Sequence, residues 1–252
     1  MRQIPLLFCL TALCLPMLAV GAPKPSGKAS ATPAPASTPP ASAAAKSSSE
    51  VGSSELQESG QDSLPEAART AAKRAIGEFN KGDLAAARRD FEEVLKTAPD
   101  NVPTLINLGL LAYRQKGYDE AAQLLTRAVR LAPEAGVGWL ILGMVYYDQD
   151  KLDHALAALA QAVLLEPKDA RAHHFLGVTI GKKGWYLGAE DEMRKAIELK
   201  PDYAEAHFNL AVFYLQRNPP AVELARRHYQ KALELGAAPD SQVEKSIGSP
   251  KD

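Results

Sequence analysis

Along most of this chain, apolar side chains recur at intervals of three and four residues, which is the spacing of an amphipathic helix. The pattern is clearest between residues 136 and 149, where the recurring positions are Trp139, Leu142, Tyr146 and Tyr147. A polar stretch at residues 150–153 interrupts it, and a second apolar pattern then runs over residues 154–166. The sequence therefore predicts two helices joined by a tight turn.

The same pattern repeats with a constant period. Four evenly spaced prolines mark the period, at Pro99, Pro133, Pro167 and Pro201. Three glycines follow the same spacing, at Gly109, Gly143 and Gly177, and a side chain that small lets two antiparallel helices cross closely. The period divides this part of the chain into five units, 68–101, 102–135, 136–169, 170–203 and 204–239, followed by a C-terminal tail at 240–252.

The third unit resembles the tetratricopeptide repeat, whose signature is Trp-x2-Leu-Gly-x2-Tyr, then Ala, an aromatic residue and Pro. The matching residues here are Trp139, Leu142, Gly143, Tyr146, Ala155 and Pro167, with Leu159 in the aromatic position. The resemblance covers the five units at residues 68–239, within a repeat domain predicted at residues 65–239. It implies an all-α fold, a right-handed superhelical solenoid of about five helix-turn-helix units. The first unit departs most from the pattern and is interpreted as a polar N-terminal cap.

What is known of this family implies that the first helix of each unit lines an inner groove that binds peptides or protein segments. Helical periodicity places mostly apolar side chains on that face, and exposed apolar area of this extent marks an interaction site. The predicted partner-binding residues are Ile76, Phe79, Asn107, Leu110, Tyr113, Met144, Tyr147, His174, Val178, Asn209 and Val212. The alternative is that some of these side chains pack onto neighbouring helices instead.

Catalytic and metal chemistry find little support in the sequence. No serine or carboxylate pair stands in a context that indicates catalysis, so we expect no enzyme activity and no cofactor. His173 and His207 occupy the position that Trp139 fills in the third unit. They are therefore interpreted as packed imidazoles, and no metal site is predicted.

Charge argues against a nucleic-acid partner. Residues 65–239 carry 23 basic and 23 acidic side chains, whereas a nucleic-acid binder usually has a basic excess. The expected partner is a protein or a peptide.

The N-terminus has the pattern of an export signal. Arg2 precedes an uncharged apolar run at residues 4–20, and small residues follow it up to Ala22. We expect residues 1–22 to be cleaved and the protein to be periplasmic or secreted. The alternative is an uncleaved membrane anchor at residues 4–20, which would be the only membrane contact. Both cysteines, Cys9 and Cys14, lie in this segment.

Residues 23–64 are rich in Ala, Pro and Ser and are predicted to form a disordered linker, because they lack core-forming side chains. Together these features predict a non-catalytic protein-interaction scaffold of the cell envelope or periplasm. Two alternatives stay open. One is a self-assembling factor, in which the apolar groove or a poorly capped fifth unit packs against a second copy. The other is an accessory subunit of an envelope complex.

Overall fold

The computed structural model describes residues 64–248, and this part of the chain consists of helices with no strand. The predicted export signal and nearly all of the predicted linker lie outside the described residues. The helices are α1 (Glu66–Lys81), α2 (Leu84–Thr97), α3 (Val102–Arg114), α4 (Tyr118–Leu131), α5 (Gly136–Asp148), α6 (Leu152–Leu165), α7 (Ala170–Lys182), α8 (Tyr186–Leu199), α9 (Ala204–Leu215), α10 (Val222–Glu234) and α11 (Ser241–Ile247). No described helix is both long enough and apolar enough to cross a membrane.

The helices pair in sequence order, α1 with α2 through α9 with α10, so each unit is an antiparallel helix hairpin. The second helix of each unit packs on the first helix of the next. Consecutive first helices also contact each other, in the pairs α3–α5, α5–α7 and α7–α9. This arrangement confirms the predicted all-α solenoid, and it places the first helices together on one face, which we call the first-helix face.

The glycine column explains how closely the two helices of a unit approach. A Cβ atom built on Gly143 would lie 2.5 Å from Cγ of Leu159, on the second helix of the same unit. Gly109 is confined in the same way, since its would-be Cβ atom lies 2.6 Å from Cγ of Leu125, and a Cβ atom at the equivalent Gly177 would lie 2.8 Å from the terminal methyl group of Met193. Real Cβ atoms do not approach other carbons so closely, so a larger residue here would force the facing side chain or the helices to shift.

The turns between paired helices also repeat. A residue with positive φ occurs at Gly82, Lys116, Asp150 and Gly184, which are equivalent positions of the first four units. Glycine adopts this left-handed conformation without steric cost. Lys116 and Asp150 adopt it despite the steric cost of their Cβ atoms. The repeat geometry therefore fixes the turn even where the local residue disfavours it.

Buried apolar side chains form one continuous core from Ala75 to Val243. A smaller cluster at the N-terminal end joins Leu64 to Ala68, Ala71 and Val94. Leu64 is the last residue of the predicted linker, but it is buried against α1 and α2. The folded part therefore includes it.

The fifth unit differs from the others at both its turn and its end. Residues 216–221 join its two helices, whereas residues 149–151 suffice in the third unit, as the extra residues of the sequence predict. The helix α11 then covers α10: Val243 is buried, and the backbone N–H of Asp240 donates to the Tyr229 hydroxyl at 2.7 Å. The expectation of a poorly capped fifth unit is therefore wrong.

Candidate functional site

The eleven predicted partner-binding residues all lie on first helices, but none is exposed. Each is at most 8% exposed, and the apolar ones belong to the continuous core. The expectation of an exposed apolar lining is therefore wrong for these side chains, because they pack between neighbouring first helices. Their role in partner binding stays a prediction, and the surface that a partner would meet is formed by other residues of the same face.

A regular set of contacts runs along the C-terminal ends of the first helices. The Arg114 guanidinium lies 4.5 Å from the ring centroid of Phe79, in the preceding unit. The Tyr113 hydroxyl donates a hydrogen bond to the Asp148 carboxylate in the following unit. The Lys182 ammonium lies 4.7 Å from the ring centroid of Tyr147. We call these six residues the aromatic ladder.

Each rung of the ladder joins an aromatic side chain of one unit to a charged side chain of the next. The charged members Arg114, Asp148 and Lys182 are separated by one repeat period, so they occupy equivalent positions and their sign alternates along the face. Lys182 also forms a salt bridge with Asp150 at 2.8 Å. The buried aromatic rings thus support a row of alternating charges at the surface of the first-helix face.

The protein environment shifts the pKa values of two ladder residues, Tyr147 and Asp148. Burial raises the pKa of Tyr147 to about 12, and the neighbouring carboxylates of Asp148 and Asp150 add to the shift. The Asp148 carboxyl loses part of its water contact, which raises its pKa, while the Tyr113 hydrogen bond and the Lys182 charge lower it. The Tyr147 hydroxyl therefore stays neutral at physiological pH.

A second polar network is buried between the fourth and fifth units. Nε2 of His174 accepts from the Asn209 amide at 3.0 Å, and its Nδ1 donates to the Tyr203 hydroxyl at 3.2 Å. Burial lowers the pKa of His174 to about 4, so the ring is neutral near pH 7. Two of the predicted site residues, His174 and Asn209, therefore satisfy each other inside the protein.

The interpretation of His173 and His207 as packed imidazoles is confirmed. Nε1 of Trp139 donates to the carbonyl oxygen of Pro133 at 2.8 Å. Nε2 of His173 and Nε2 of His207 donate in the same way to Pro167 and Pro201, each at 3.1 Å. These rings replace the indole in a hydrogen bond that recurs in three units. Residues 64–248 contain no group of three His, Cys, Asp or Glu side chains placed to hold a metal ion.

Sequence reasoning missed the charged members of the ladder. Arg114, Asp148 and Lys182 are absent from the predicted site because the prediction follows only the apolar periodicity of the first helices. Their separation by one repeat period is a usable signal, since a charged column beside an aromatic column predicts contacts between successive units.

Sequence comparisons agree with the observed architecture. Models of the tetratricopeptide repeat family match residues 72–136, 112–177, 170–203 and 192–234. No curated protein sequence matches the chain.

Several solved structures of the protein MamA are similar to this chain. One crystal structure of MamA is 28% identical, with a TM-score of 0.58, and the match covers 64% of this chain and 93% of that one. A second crystal structure of MamA is 27% identical, with a TM-score of 0.59, over 68% and 92% of the two chains. MamA from Desulfovibrio magneticus RS-1, residues 41 to the end, shares the fold at 21% identity, with a TM-score of 0.62, over 69% and 97%.

Proposed function

Because this chain belongs to the tetratricopeptide repeat family, we propose that it is a non-catalytic scaffold of the cell envelope that binds a protein segment along its first-helix face. Tetratricopeptide repeats generally mediate protein–protein interaction, and the repeat fold with its MamA-like neighbours points to a non-enzymatic protein. The observation that supports binding along the first-helix face is the aromatic ladder. It presents alternating charges above buried aromatic side chains.

The ladder defines the chemistry of the partner segment. Arg114 and Lys182 favour acidic side chains, and Asp148 between them favours a basic one. The Lys182–Asp150 pair lies at the surface, so a carboxylate of the partner can replace Asp150 there. Packed helices lie about 8–10 Å apart, which an extended chain spans in about three residues. The segment therefore carries an acidic, a basic and an acidic side chain at about every third position. The buried residues beneath, including Met144 and Leu110, shape this surface rather than contact the partner.

The envelope location rests on the N-terminal sequence. The apolar run at residues 4–20 and the small residues after it have the composition of an export signal. Intact mass measurement of the protein purified from its own cells tests this directly, because cleavage removes residues 1–22. A chain recovered from the cytoplasm at full mass contradicts the envelope location.

Partner capture tests the binding site. The full chain with a C-terminal affinity tag is expressed in its own cells, and captured proteins are quantified by mass spectrometry. Asp148→Lys gives the ladder three successive positive charges, so we expect at least about a tenfold loss of the specific partner. This substitution is preferable to Tyr147→Ala, because Tyr147 is buried and its truncation also damages the core.

Arg127→Ala is the matched control. Arg127 is exposed on α4 and pairs with Asp100, so its loss removes one surface charge away from the ladder. Circular dichroism is used to check that both variants are folded. If Asp148→Lys retains the partner while Arg127→Ala loses it, the second helices form the binding surface and the ladder does not.

A further inference from the structure

A separate cleft lies where the fourth and fifth units meet, at the turn ends of their helices. It has a volume of about 710 Å³. Its walls come from the start of α8, with Trp185, Tyr186 and Leu187, and from the long turn of the fifth unit, with Gln216, Asn218 and Pro219. The other units have shorter turns, so this wall is particular to the fifth unit.

Two large apolar side chains of this cleft face solvent. Trp185 is 57% exposed and Leu187 is 69% exposed. An exposed tryptophan beside an exposed leucine is costly in water, and tryptophan is among the side chains enriched at the centres of protein interfaces.

The repeat shows that the fold does not need a tryptophan at this position. The residues equivalent to Trp185, at the same point before the second helix, are Asp83, Gly117 and Lys151. Asp83 accepts a capping hydrogen bond from the helix that follows, whereas Trp185 makes no side-chain capping bond. Trp185 thus has no capping role that the repeat requires.

The charges around the cleft are balanced. Among the described residues that form its walls, Arg217 alone is charged, and it forms two hydrogen bonds with the fully buried carboxylate of Glu190. The ammonium of Lys183, which lies 5.1 Å from the Trp185 ring centroid, is paired with Asp153. A charged ligand would find no free countercharge on these described walls, so the cleft suits an uncharged one.

The cleft also offers unused hydrogen-bonding groups. The Trp185 indole N–H, the Tyr186 hydroxyl and the side-chain amides of Gln216 and Asn218 have no hydrogen-bond partner within residues 64–248. These groups stand around an aromatic and proline surface. They can donate to the carbonyl oxygens of an extended backbone laid across the rings.

We propose that this cleft, which we call the Trp185 cleft, binds an uncharged, proline-rich segment of a partner protein in the polyproline II conformation. Such a segment has no internal hydrogen bonds and displays its carbonyl oxygens, and its proline rings stack on aromatic side chains. Neutrality, unused donors and exposed rings all match that chemistry. The cleft is a second binding surface, distinct from the ladder and independent of it.

The test uses the purified full chain and a fluorescently labelled synthetic peptide of six Ala-Pro repeats, with binding followed by fluorescence anisotropy. We expect saturable binding below about 1 mM and at least about a tenfold weaker affinity for Trp185→Lys, which installs the residue of the third unit. Leu164→Ser is the matched control, because Leu164 on α6 is 73% exposed but lies outside the cleft. It should bind like the unaltered chain.

A second peptide, a second variant and a sedimentation measurement distinguish the possible outcomes. An all-alanine peptide of equal length should not bind, and Asp148→Lys should bind the proline peptide normally, which separates this cleft from the ladder. Absence of binding by the unaltered chain, or equal binding by Trp185→Lys with unchanged circular dichroism, overturns the proposal. So does sedimentation showing that Trp185→Lys abolishes self-association, since a second copy would then be the occupant.

Discussion

Gly143 shows how one missing side chain sets the distance between two helices. The Cβ atom of an alanine there would meet Leu159 at 2.5 Å, so Leu159 or the helices must shift. We expect Gly143→Ala to lower the free energy of unfolding by about 1–3 kcal/mol, the usual cost of overpacking a core. Urea denaturation followed by circular dichroism measures the change.

Gly77 is the matched control for this prediction. It also lies inside a helix, but apart from its chain neighbours and the backbone of its own helix no atom of the described residues stands within 4 Å of its would-be Cβ atom. Gly77→Ala should therefore stabilise the protein by about 0.5–1 kcal/mol, because alanine loses less backbone entropy in a helix. A Gly143→Ala variant as stable as Gly77→Ala would contradict the close crossing, whereas rescue by Leu159→Ala would support it.

The sequence reveals this glycine column but not the turns beside it. Gly143 stands in a column of glycines that falls inside predicted helices, where a positive φ is excluded, so the column indicates a close approach. The left-handed residue of the turns is Gly82 in one unit and Lys116 in another, so composition carries no signal for it. Only the geometry imposed by the packed helices fixes the conformation of Lys116.

At the scale of elements, His174 joins α7 to α9 through a hydrogen bond that needs a neutral ring. Its pKa in the folded protein is about 4, below the value of about 6.5 in the unfolded chain. The unfolded state therefore takes up the proton more readily, and stability falls as the pH drops from about 6.5 towards 4. We expect a loss of about 3 kcal/mol over that range, measured by denaturation at each pH.

His174→Gln removes the titration, so its stability should depend less on pH over this range. His154→Gln is the control, since His154 is exposed on α6. Burial also lowers the pKa of His228, which lies beside His207, so His228 contributes a residual effect of the same sign. A pH dependence that persists unchanged in His174→Gln would show that other groups govern it.

The helices and their pairing could be predicted because apolar periodicity and a fixed period report directly on local geometry. The exposure of a side chain could not, because it depends on how far consecutive first helices close on each other. Tyr147 and Leu110 illustrate the difference: periodicity places both on the first-helix face, but contacts between units bury them. The solvent-exposed surface of the first-helix face is therefore formed by the charged residues beside Tyr147 and Leu110.

At the scale of the whole molecule, a repeat array is protected at its ends by the elements that cover the last unit. Val243 of α11 is 4% exposed and is the buried apolar contact of that helix. Removing residues 240–252 should lower the free energy of unfolding by about 2 kcal/mol, the value of one buried valine. Hydrogen exchange should accelerate first in α10, because units of a solenoid depend on their neighbours.

Gln242→Ala is the control for this truncation. Gln242 is exposed on the same helix, so its loss leaves the apolar contact in place and should change stability by less than about 0.5 kcal/mol. A truncated chain as stable as Gln242→Ala would show that α11 does not protect the fifth unit.

The alternation of Arg114, Asp148 and Lys182 has a consequence for how a bound segment finds its place. A segment displaced by one unit would set like charges opposite each other at both of the charged positions that it still faces, which is destabilising. A displacement by two units restores the match but leaves part of the ladder empty. Displacement along the face is therefore penalised, because a one-unit shift brings like charges together, and the alternation of charge itself selects a single alignment.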